Sequence, residues 1–298
     1  MNPNSNNLKS PKLLNVGCGG RFHASWTNID LESAAAEVRK HDITQGLPFA
    51  DNHFDAIYHS HVLEHLDPAD GEKLLDECFR VLKPTGVLRI VVPNLEQIAT
   101  LYLNYHRQAW GGEKGAAVNY RWMKLELLDQ LVRTHSGGRM GQYMASDGIK
   151  NIGFVRSRFG DEFFRCQEPD EAGQGESPAK KNSPSLADKA SQWFINTKTY
   201  LAHRAVRYLM GKPALKSFEE GLFRSQGEIH RWMYDRYSLK QLCLAHGFVD
   251  FKVRSATESS IDDYESFELD SENGNVRKPD SLFVECRKGV AQEAKKAA

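Results

Sequence analysis

The 298-residue chain has no excess charge of either sign, because 39 Lys and Arg balance 39 Asp and Glu. A protein without net positive charge has no overall electrostatic attraction to nucleic acid, and we expect no nucleic-acid partner. No stretch approaches eighteen consecutive apolar residues, so the pattern predicts no transmembrane segment. The polar start of the chain lacks the apolar run of a signal peptide, which predicts a cytoplasmic protein.

Cysteines are few, odd in number and scattered. None of the five has the spacing of a metal-ligand pair, and such usage is typical of a reducing compartment, where cysteines act as small core residues. They are Cys18, Cys78, Cys166, Cys243 and Cys286.

Residues 12–100 alternate between strand and helix patterns. LLNV (13–16), TNIDL (27–31), FDAIYHS (54–60) and VLRIVV (87–92) have the composition of strands. DPADGEKLLDECFRVLKPTG (67–86) has apolar residues at three- and four-residue spacing and predicts a helix. This alternation predicts an α/β fold, a doubly wound, mostly parallel sheet with helices on both faces.

The pattern then loosens over a long middle region before it resumes. SLKQLCLAHGF (238–248) predicts a helix, and 248–256 and 281–288 predict two more strands. We therefore assign 1–104 and 230–290 to the core domain, 105–229 to a helical insertion or lid, and 291–298 to a tail. Within the insertion, 166–185 has the composition of a disordered loop.

Two segments of the insertion carry both aromatic and basic residues. The stretch 186–212 predicts an amphipathic helix, which either packs its aromatic stripe on the core as a lid or lies on an anionic membrane surface. The lid is the simpler interpretation. HRWMYDRYSL (230–239) either lines an acceptor pocket for an anionic or sugar molecule or anchors the insertion to the sheet.

A glycine turn and an acid bracket an unusually short connection near the start of the chain. Gly17 and Gly19 follow the first strand, and glycine there lets the backbone approach a ligand closely. Asp30 ends the next strand, where a carboxylate can accept hydrogen bonds from both ribose hydroxyls. Only Arg21 to Trp26 lie between, too few for a crossover helix, so we predict a loop or single turn. The run is not GxGxxG, which disfavours a nicotinamide or flavin site.

Several motifs in a fixed order resemble a known family. GCGG, the terminal Asp30, the Asp42–Ile43 pair, LPF...FD, HVLEHL and RVLKPTGVLRIVVPN together resemble class I S-adenosylmethionine-dependent methyltransferases, within the broad methyltransferase type 11 group. The resemblance covers residues 12–100 closely and 238–288 more loosely. One departure is the missing helix before Asp30, where the family usually has a full one.

The resemblance implies a Rossmann-like fold and S-adenosyl-L-methionine as cofactor. It places the glycine turn beneath the methionine part, Asp30 on the ribose, and Leu31, Asp42 and Ile43 around the adenine. The backbone at His59 and Ser60 would pass the methionine moiety. The cofactor-binding residues implied are Val16, Gly17, Cys18, Gly19, Asp30, Leu31, Asp42, Ile43, His59 and Ser60.

The segment YHSHVLEHL leaves three roles open. On a helix starting near His61, residues 61, 64 and 65 would share one face. His61 or His65 would serve as a catalytic base, or the two histidines with Glu64 would hold a divalent metal, or the segment would only cap and pack a helix. We assign His61 and His65 as the catalytic residues and no metal.

These expectations combine into one function. We expect a methyltransferase acting on a small molecule or glycan precursor, most simply O-methylation of a sugar or related hydroxyl. The alternatives are a methyltransferase-fold binding protein without turnover, or a methyltransferase of a natural product, quinone or lipid. We expect no transmembrane segment; peripheral membrane contact through 186–212 and the oligomeric state stay open.

Overall fold

The structure is a computed structural model that describes residues 10–33, 35–146, 148–160 and 186–290, with the side chains of 186–196 left out. The chain divides into two compact units. The core unit contains residues up to Asn94 and from Tyr234 onward, and the second unit spans Leu95–Met233. The predicted loop at 166–185 and tail at 291–298 lie outside the described residues.

The core unit is built on a seven-stranded sheet. Its strands are β1 (Leu13–Val16), β2 (Thr27–Asp30), β3 (Val38–Lys40), β4 (Phe54–Ser60), β5 (Leu82–Pro93), β6 (Phe248–Arg254) and β9 (Ser281–Lys288). The order is β3-β2-β1-β4-β5-β9-β6. The first five strands are mutually parallel, and β9 runs antiparallel between β5 and β6. The predicted fold class, an α/β, mostly parallel sheet, is confirmed.

Two helices cover one face of this sheet. Helix α1 (Pro68–Val81) buries Leu74, Leu75 and Cys78, the apolar positions that the spacing marked. It ends at Val81, earlier than predicted, because Pro84 disfavours helical backbone at Lys83 and the chain enters β5 at Leu82. The second helix, α7 (Arg236–Ala245), begins with a capping box between Asp235 and Ser238.

Within the core unit the opposite face carries no helix of its own among the described residues. It is covered by the segment 255–280, which contains a 3₁₀ turn, Tyr264–Phe267, and a short hairpin. The hairpin has two strands of two residues each, β7 (Ser271–Glu272) and β8 (Asn275–Val276). Ile261, Tyr264 and Leu269 of this segment pack against the sheet. The prediction of helices on both faces is therefore correct for one face of this unit, and an irregular segment takes the other.

Arg89, in the middle of β5, fastens that segment to the sheet. Its side chain is fully buried and donates to Asp270 at 2.8 Å and to Glu285 at 3.0 Å. It also donates to the carbonyl oxygens of Glu258 and Ser255. An irregular segment has few backbone hydrogen bonds of its own, so a buried guanidinium with five donors substitutes for a ladder.

The second unit is helical. It contains α2 (Leu95–Trp110), α3 (Ala116–Val132), α4 (Gly138–Met144), α5 (Ile152–Phe159) and α6 (Leu186–Arg224). Trp122 and Met123 of α3 are fully buried at the centre of its core. Its limits, at 94/95 and 233/234, differ from the predicted insertion at 105–229, because α2 packs against α3 and so belongs with the helical unit.

Helix α6 is interrupted at Gly211, whose positive φ of 82° breaks the helical backbone two residues before Pro213. Gly211 thus divides α6 into two helical segments, and the first ends close to the predicted end at 212. Tyr200, Leu201 and Tyr208 are each more than half exposed within the helical unit, and the lid role stays a prediction. Membrane contact stays a prediction. No helix among the described residues has the length and apolar character needed to cross a bilayer.

Candidate active site

The site lies where the strand order reverses, between β1 and β4. Connections from these two neighbours leave in opposite directions, which opens a crevice at the carboxyl ends of the strands, the usual ligand position in such sheets. Val16 of β1 pairs with His59 of β4, so the chain segments that follow them start side by side. The predicted residues of the glycine turn and of the β4 end are thereby brought together.

Gly17 is the residue that this crevice cannot replace. Its φ is +64°, and a Cβ added there would lie 2.4 Å from Cγ2 of Val62. Gly19 also has a positive φ, of 52°, but a Cβ there meets nothing within 4 Å. The first glycine therefore lets the segment after β4 pack on the turn, and the second leaves open space above it.

We expect Gly17→Ala to lower the free energy of unfolding by about 1–3 kcal/mol, from the left-handed backbone and the displaced Val62. Urea unfolding measures the loss. Gly20→Ala is the matched control, because Gly20 has no positive φ and open space around it, and it should change stability by less than about 0.5 kcal/mol. Equal effects of the two variants would contradict the packing described for Gly17.

The short connection between β1 and β2 is a loop, as predicted. Two buried asparagines hold its carbonyl groups from below: Asn15 donates to Arg21 O at 3.1 Å, and Asn28 donates to His23 O and Trp26 O. The two amides also bond each other at 3.2 Å. Side-chain amides thus satisfy backbone groups that a crossover helix would have satisfied internally.

The outer side of this loop is covered by the 255–280 segment of the same unit. Trp26 is buried, with its ring 5.4 Å from Phe267 and 6.1 Å from Tyr58 in edge-to-face geometry, and His23 also contacts Phe267. Arg21 forms an ion pair with Glu272 at 3.2 Å. The departure from the family pattern is therefore compensated by a segment about 240 residues away in sequence.

Asp30 ends β2 beside the glycine turn. Its Oδ2 accepts the amide of Gly19 at 2.8 Å and its Oδ1 accepts the amide of Glu32 at 3.0 Å. An ionised carboxylate has about four acceptor positions, so two remain for the hydroxyls of a ribose. Leu31, next in the chain, is 58% exposed, an apolar side chain at the crevice with no protein cover.

Asp42 and Ile43 follow β3 close to Asp30, because His41 N donates to Asp30 O at 2.7 Å. Asp42 caps a 3₁₀ turn (Ile43–Gln45) and accepts from both N and Oγ1 of Thr44. These bonds from Thr44 lower the pKa of the Asp42 carboxyl. Ile43 is partly buried against the sheet core. Asp42 is exposed and Ile43 is half-buried, and each has a structural role that the motif did not reveal.

His59 is the least expected residue of the site. Its side chain is fully buried on the helix-covered face, and neither ring nitrogen has a hydrogen-bond partner. Burial lowers its pKa to about 4, against a smaller opposing effect of Glu64. The prediction used only the backbone at His59 and Ser60; the structure adds a neutral imidazole beneath the crevice.

A depressed pKa at His59 makes stability depend on pH. Below pH 6.5 the unfolded chain binds a proton at this residue, while the folded chain stays neutral to about pH 4. Stability should therefore fall as the pH drops from about 6.5 to 4, by about 3 kcal/mol in total. In urea titrations His59→Leu should flatten this slope, whereas His53→Gln, at a half-buried position, should retain it. An unchanged slope in His59→Leu would show that His59 titrates normally.

His61 is held at both ring nitrogens. Its Nδ1 lies 2.9 Å from Oε1 of the fully buried Glu64, and its Nε2 lies 2.9 Å from Oγ of Ser281. The predicted helix starting at His61 is wrong: His61 has a φ of +53°, and only a 3₁₀ turn (Leu63–His65) precedes α1. The positive φ aims the ring across the end of the sheet toward β9 instead of along a helix.

The carboxylate of Glu64 influences a second neighbour. Burial, with added contributions from Glu64 and Glu72, raises the pKa of the Tyr234 phenol to about 12. His61, Glu64 and Ser281 thus form a polar cluster, and the charge of Glu64 also acts on the phenol of Tyr234. Sequence reasoning did not find Ser281, since nothing near it in the chain marks a site, whereas Tyr234 lies in HRWMYDRYSL, for which an acceptor pocket was one of the two interpretations.

His65 ends the 3₁₀ turn and is partly buried, and its amide donates to Val62 O. The metal set of His61, Glu64 and His65, one of the three roles that the sequence left open, does not assemble: their ligand atoms are not all within 4.8 Å of one another. Glu64 and His65 do bring ligand atoms within this distance of each other.

Cys18 is buried within the glycine turn. Burial, followed by the nearby Asp30, raises the pKa of its thiol to about 12, which makes it a poor nucleophile. Cys78, Cys243 and Cys286 are also free and buried, as predicted for core cysteines, and Cys166 lies outside the described residues.

A comparison with protein families matches residues 14–90 to the family described as "Methyltransferase domain". These residues run from β1 to β5 and include the glycine turn, Asp30 and His61. The part of the core unit from β1 to β5 thus matches a class I methyltransferase domain. The resemblance predicted from the motifs is thereby confirmed, and the family's cofactor is S-adenosylmethionine.

Two curated relatives are ubiquinone/menaquinone biosynthesis C-methyltransferases UbiE, from Klebsiella pneumoniae and Cronobacter sakazakii. Each is 32% identical over 151 residues, which are 48% of this chain and 51% of the relative. The chain thus spans about half the length of the curated relatives it matches. Among solved structures, a SAM-dependent methyltransferase from Archaeoglobus fulgidus is 13% identical over 93% of this chain and 86% of its own, with a TM-score of 0.36.

The residues of the methyltransferase domain fit this cofactor. The turn has open space above Gly19 and Gly20, as a closely bound amino-acid moiety requires. Asp30 retains acceptor positions, and Leu31 presents an exposed apolar surface next to it. These features lie along one line at the carboxyl ends of β1, β2 and β3.

Proposed function

We propose that this protein is an S-adenosylmethionine-dependent methyltransferase of a small molecule or glycan precursor that carries a hydroxyl group. The observation that supports this most is the His61–Glu64 pair, at 2.9 Å, placed beside the glycine turn by the packing of Val62 on Gly17. A base with a fixed orientation at this position is what an acceptor hydroxyl requires.

The cofactor supplies an activated methyl group on a sulfonium, so the protein mainly has to align the acceptor with it. In the proposal, Asp30 holds the ribose and Leu31, Asp42 and Ile43 border the adenine. Val16, Cys18 and Gly19 shape the turn, and the backbone at His59 and Ser60 forms the facing wall.

His61 takes the proton of the acceptor. Glu64 at Nδ1 favours the tautomer whose Nε2 carries the lone pair, and it stabilises the imidazolium that forms. Ser281 Oγ, at 2.9 Å from Nε2, occupies the acceptor's position and either yields it to the acceptor hydroxyl or relays the proton. His65 remains a second proposed base.

Two acceptor classes follow. A sugar hydroxyl is the first, as expected from the polar, aromatic residues of 230–239. A quinol-type ring is the second, because the curated relatives are quinone C-methyltransferases by name. Both acceptors carry a hydroxyl whose deprotonation increases nucleophilicity, so the same base serves O-methylation and C-methylation.

Transfer of labelled methyl from S-adenosylmethionine to a cell extract, followed by mass spectrometry and NMR of the product, tests the function. The product identifies the acceptor and the methylated atom. Cofactor binding without transfer to any extract component would favour the alternative, a methyltransferase-fold protein without turnover. No cofactor binding at high micromolar concentration would contradict both.

Once an acceptor is known, we expect His61→Gln to lower kcat by about 10²–10⁴-fold, as loss of a general base does, with little change in cofactor affinity. Glu64→Gln should lower kcat less and shift its pH profile, since the imidazolium loses its partner. Ser281→Ala distinguishes the two roles proposed for Ser281. The variant lowers kcat if Ser281 relays the proton, and it leaves kcat unchanged if the acceptor hydroxyl simply displaces Ser281. His53→Gln is the control, and equal activity of His61→Gln and wild type would rule out His61 as the base.

A further inference from the structure

The helical unit contains a cavity of about 720 Å³ that the methyltransferase domain does not use. It lies between α3 and α4, and all the residues that line it belong to the second unit. Its α3 wall consists of residues at successive turns of the helix: Arg121, Lys124, Leu125, Leu128 and Val132. The volume suits a small organic molecule.

The walls combine cations with apolar surface. Arg121, Lys124 and Arg139 line the cavity, and none of the three has an acidic partner in the part of the chain that the structure describes. Leu128 is 43% exposed and Val132 is 64% exposed, so apolar surface lies next to these charges.

The acids near the cavity share one basic partner, Arg133. Asp129 is buried, pairs with Arg133 at 3.2 Å, and accepts the backbone amide of Arg139 at 2.8 Å. Glu228 accepts from Arg133 at 3.0 Å and from Gly137 N at 2.8 Å. Arg133 is thus a structural cation held by two carboxylates, and the excess positive charge remains on the other three basic residues.

We infer that this cavity binds a phosphate-bearing amphiphile. Three cations facing one cavity suit a dianionic phosphate better than a single carboxylate, and arginine binds phosphate oxygens in bidentate geometry. Leu125, Leu128 and Val132 then cover the apolar body of the ligand. The inference rests on the helical unit alone and does not depend on the proposed methyl transfer.

Calorimetry on the full chain with decyl phosphate, below its micelle-forming concentration, tests the site. We expect saturable binding, weakened about tenfold or more by Arg121→Gln and by Arg139→Gln, since each removes a charge-assisted hydrogen bond. Leu128→Asn should weaken the binding of decyl phosphate but leave the affinity for inorganic phosphate unchanged. Arg107→Gln, an exposed position on α2 outside the cavity, is the matched control, and circular dichroism verifies that each variant is folded.

Phosphatidylglycerol vesicles are a further probe, which identifies the source of the ligand. If the protein binds both phosphatidylglycerol vesicles and dissolved decyl phosphate, and both depend on the arginines, the natural ligand is a lipid headgroup. If it binds dissolved decyl phosphate but not the vesicles, the natural ligand is a free phosphorylated molecule. The inference is overturned if decyl phosphate does not bind, if decyl maltoside binds equally well, or if the two arginine variants bind like Arg107→Gln.

Discussion

Asp30→Ala is expected to weaken the binding of S-adenosylhomocysteine by about 100-fold or more. Two hydrogen bonds from ribose hydroxyls to a carboxylate are lost, each worth about 1.5–3 kcal/mol. The amides of Gly19 and Glu32 lose their acceptor as well, so the turn itself becomes less ordered. Isothermal titration calorimetry of the folded variant measures the affinity directly.

Two controls separate the ribose contact from the support of the turn. Glu32→Ala removes an exposed neighbouring carboxylate whose side chain makes no contact with the turn in the described part of the chain, and it should bind like wild type. Asp30→Asn keeps one oxygen for the turn but turns an acceptor into a donor, and it should lie between the other two variants. If Asp30→Ala bound S-adenosylhomocysteine with wild-type affinity, the assignment of Asp30 to the ribose would be wrong.

Arg89→Met is expected to lower the free energy of unfolding by about 3–5 kcal/mol, the cost of leaving buried carboxylates without their partner. Asp270 and Glu285 are both buried and both pair with this guanidinium. The segment 255–280 also loses the donor that binds three of its carbonyl groups. Urea unfolding measures the stability.

Because the affected segment covers the β1–β2 loop through Phe267, Arg89→Met should also accelerate proteolysis within 255–280 before global unfolding. Arg80→Gln is the matched control: Arg80 forms comparable bonds to Glu77 and Asp51, but it is about one-third exposed and should cost about 1 kcal/mol. A loss no larger in Arg89→Met than in Arg80→Gln would show that the buried network does not hold the segment.

Local sequence was sufficient for the strands, the helices of the sheet and the glycine turn. Leu13–Val16 and Ser281–Lys288 have the predicted limits, because continuous apolar runs bounded by polar residues have few alternatives to a buried strand. Asp30 could be identified because its distance from the glycine turn is short and the turn chemistry is specific. The loop at Arg21–Trp26 followed from length alone.

Contacts between residues distant in the chain could not be inferred in this way. Ser281 meets His61 only because β9 pairs antiparallel with β5, which brings Ser281 next to Pro93 at the carboxyl end of that strand. His61 itself departs from the predicted helix: it has a positive φ, and its ring bonds to Glu64 and Ser281. Neither the Ser281 contact nor the backbone conformation of His61 is marked by a pattern in the neighbouring sequence.

The amino-acid sequence by itself determined the family resemblance and the cofactor class, because these depend on residue types at short, ordered spacings, and it supplied the residues that we propose as anchors of the site. Only the tertiary structure decided how the short loop is covered, which acid orients His61, and that His59 is neutral and buried. The physical reason is that the burial of these residues and their hydrogen-bond partners depend on long-range contacts: the pairing of β9 with β5 and the packing of 255–280 on the sheet. LLNVGCGGRFHASWTNID specifies where the cofactor is expected to lie, and residues some 240 positions later complete its support.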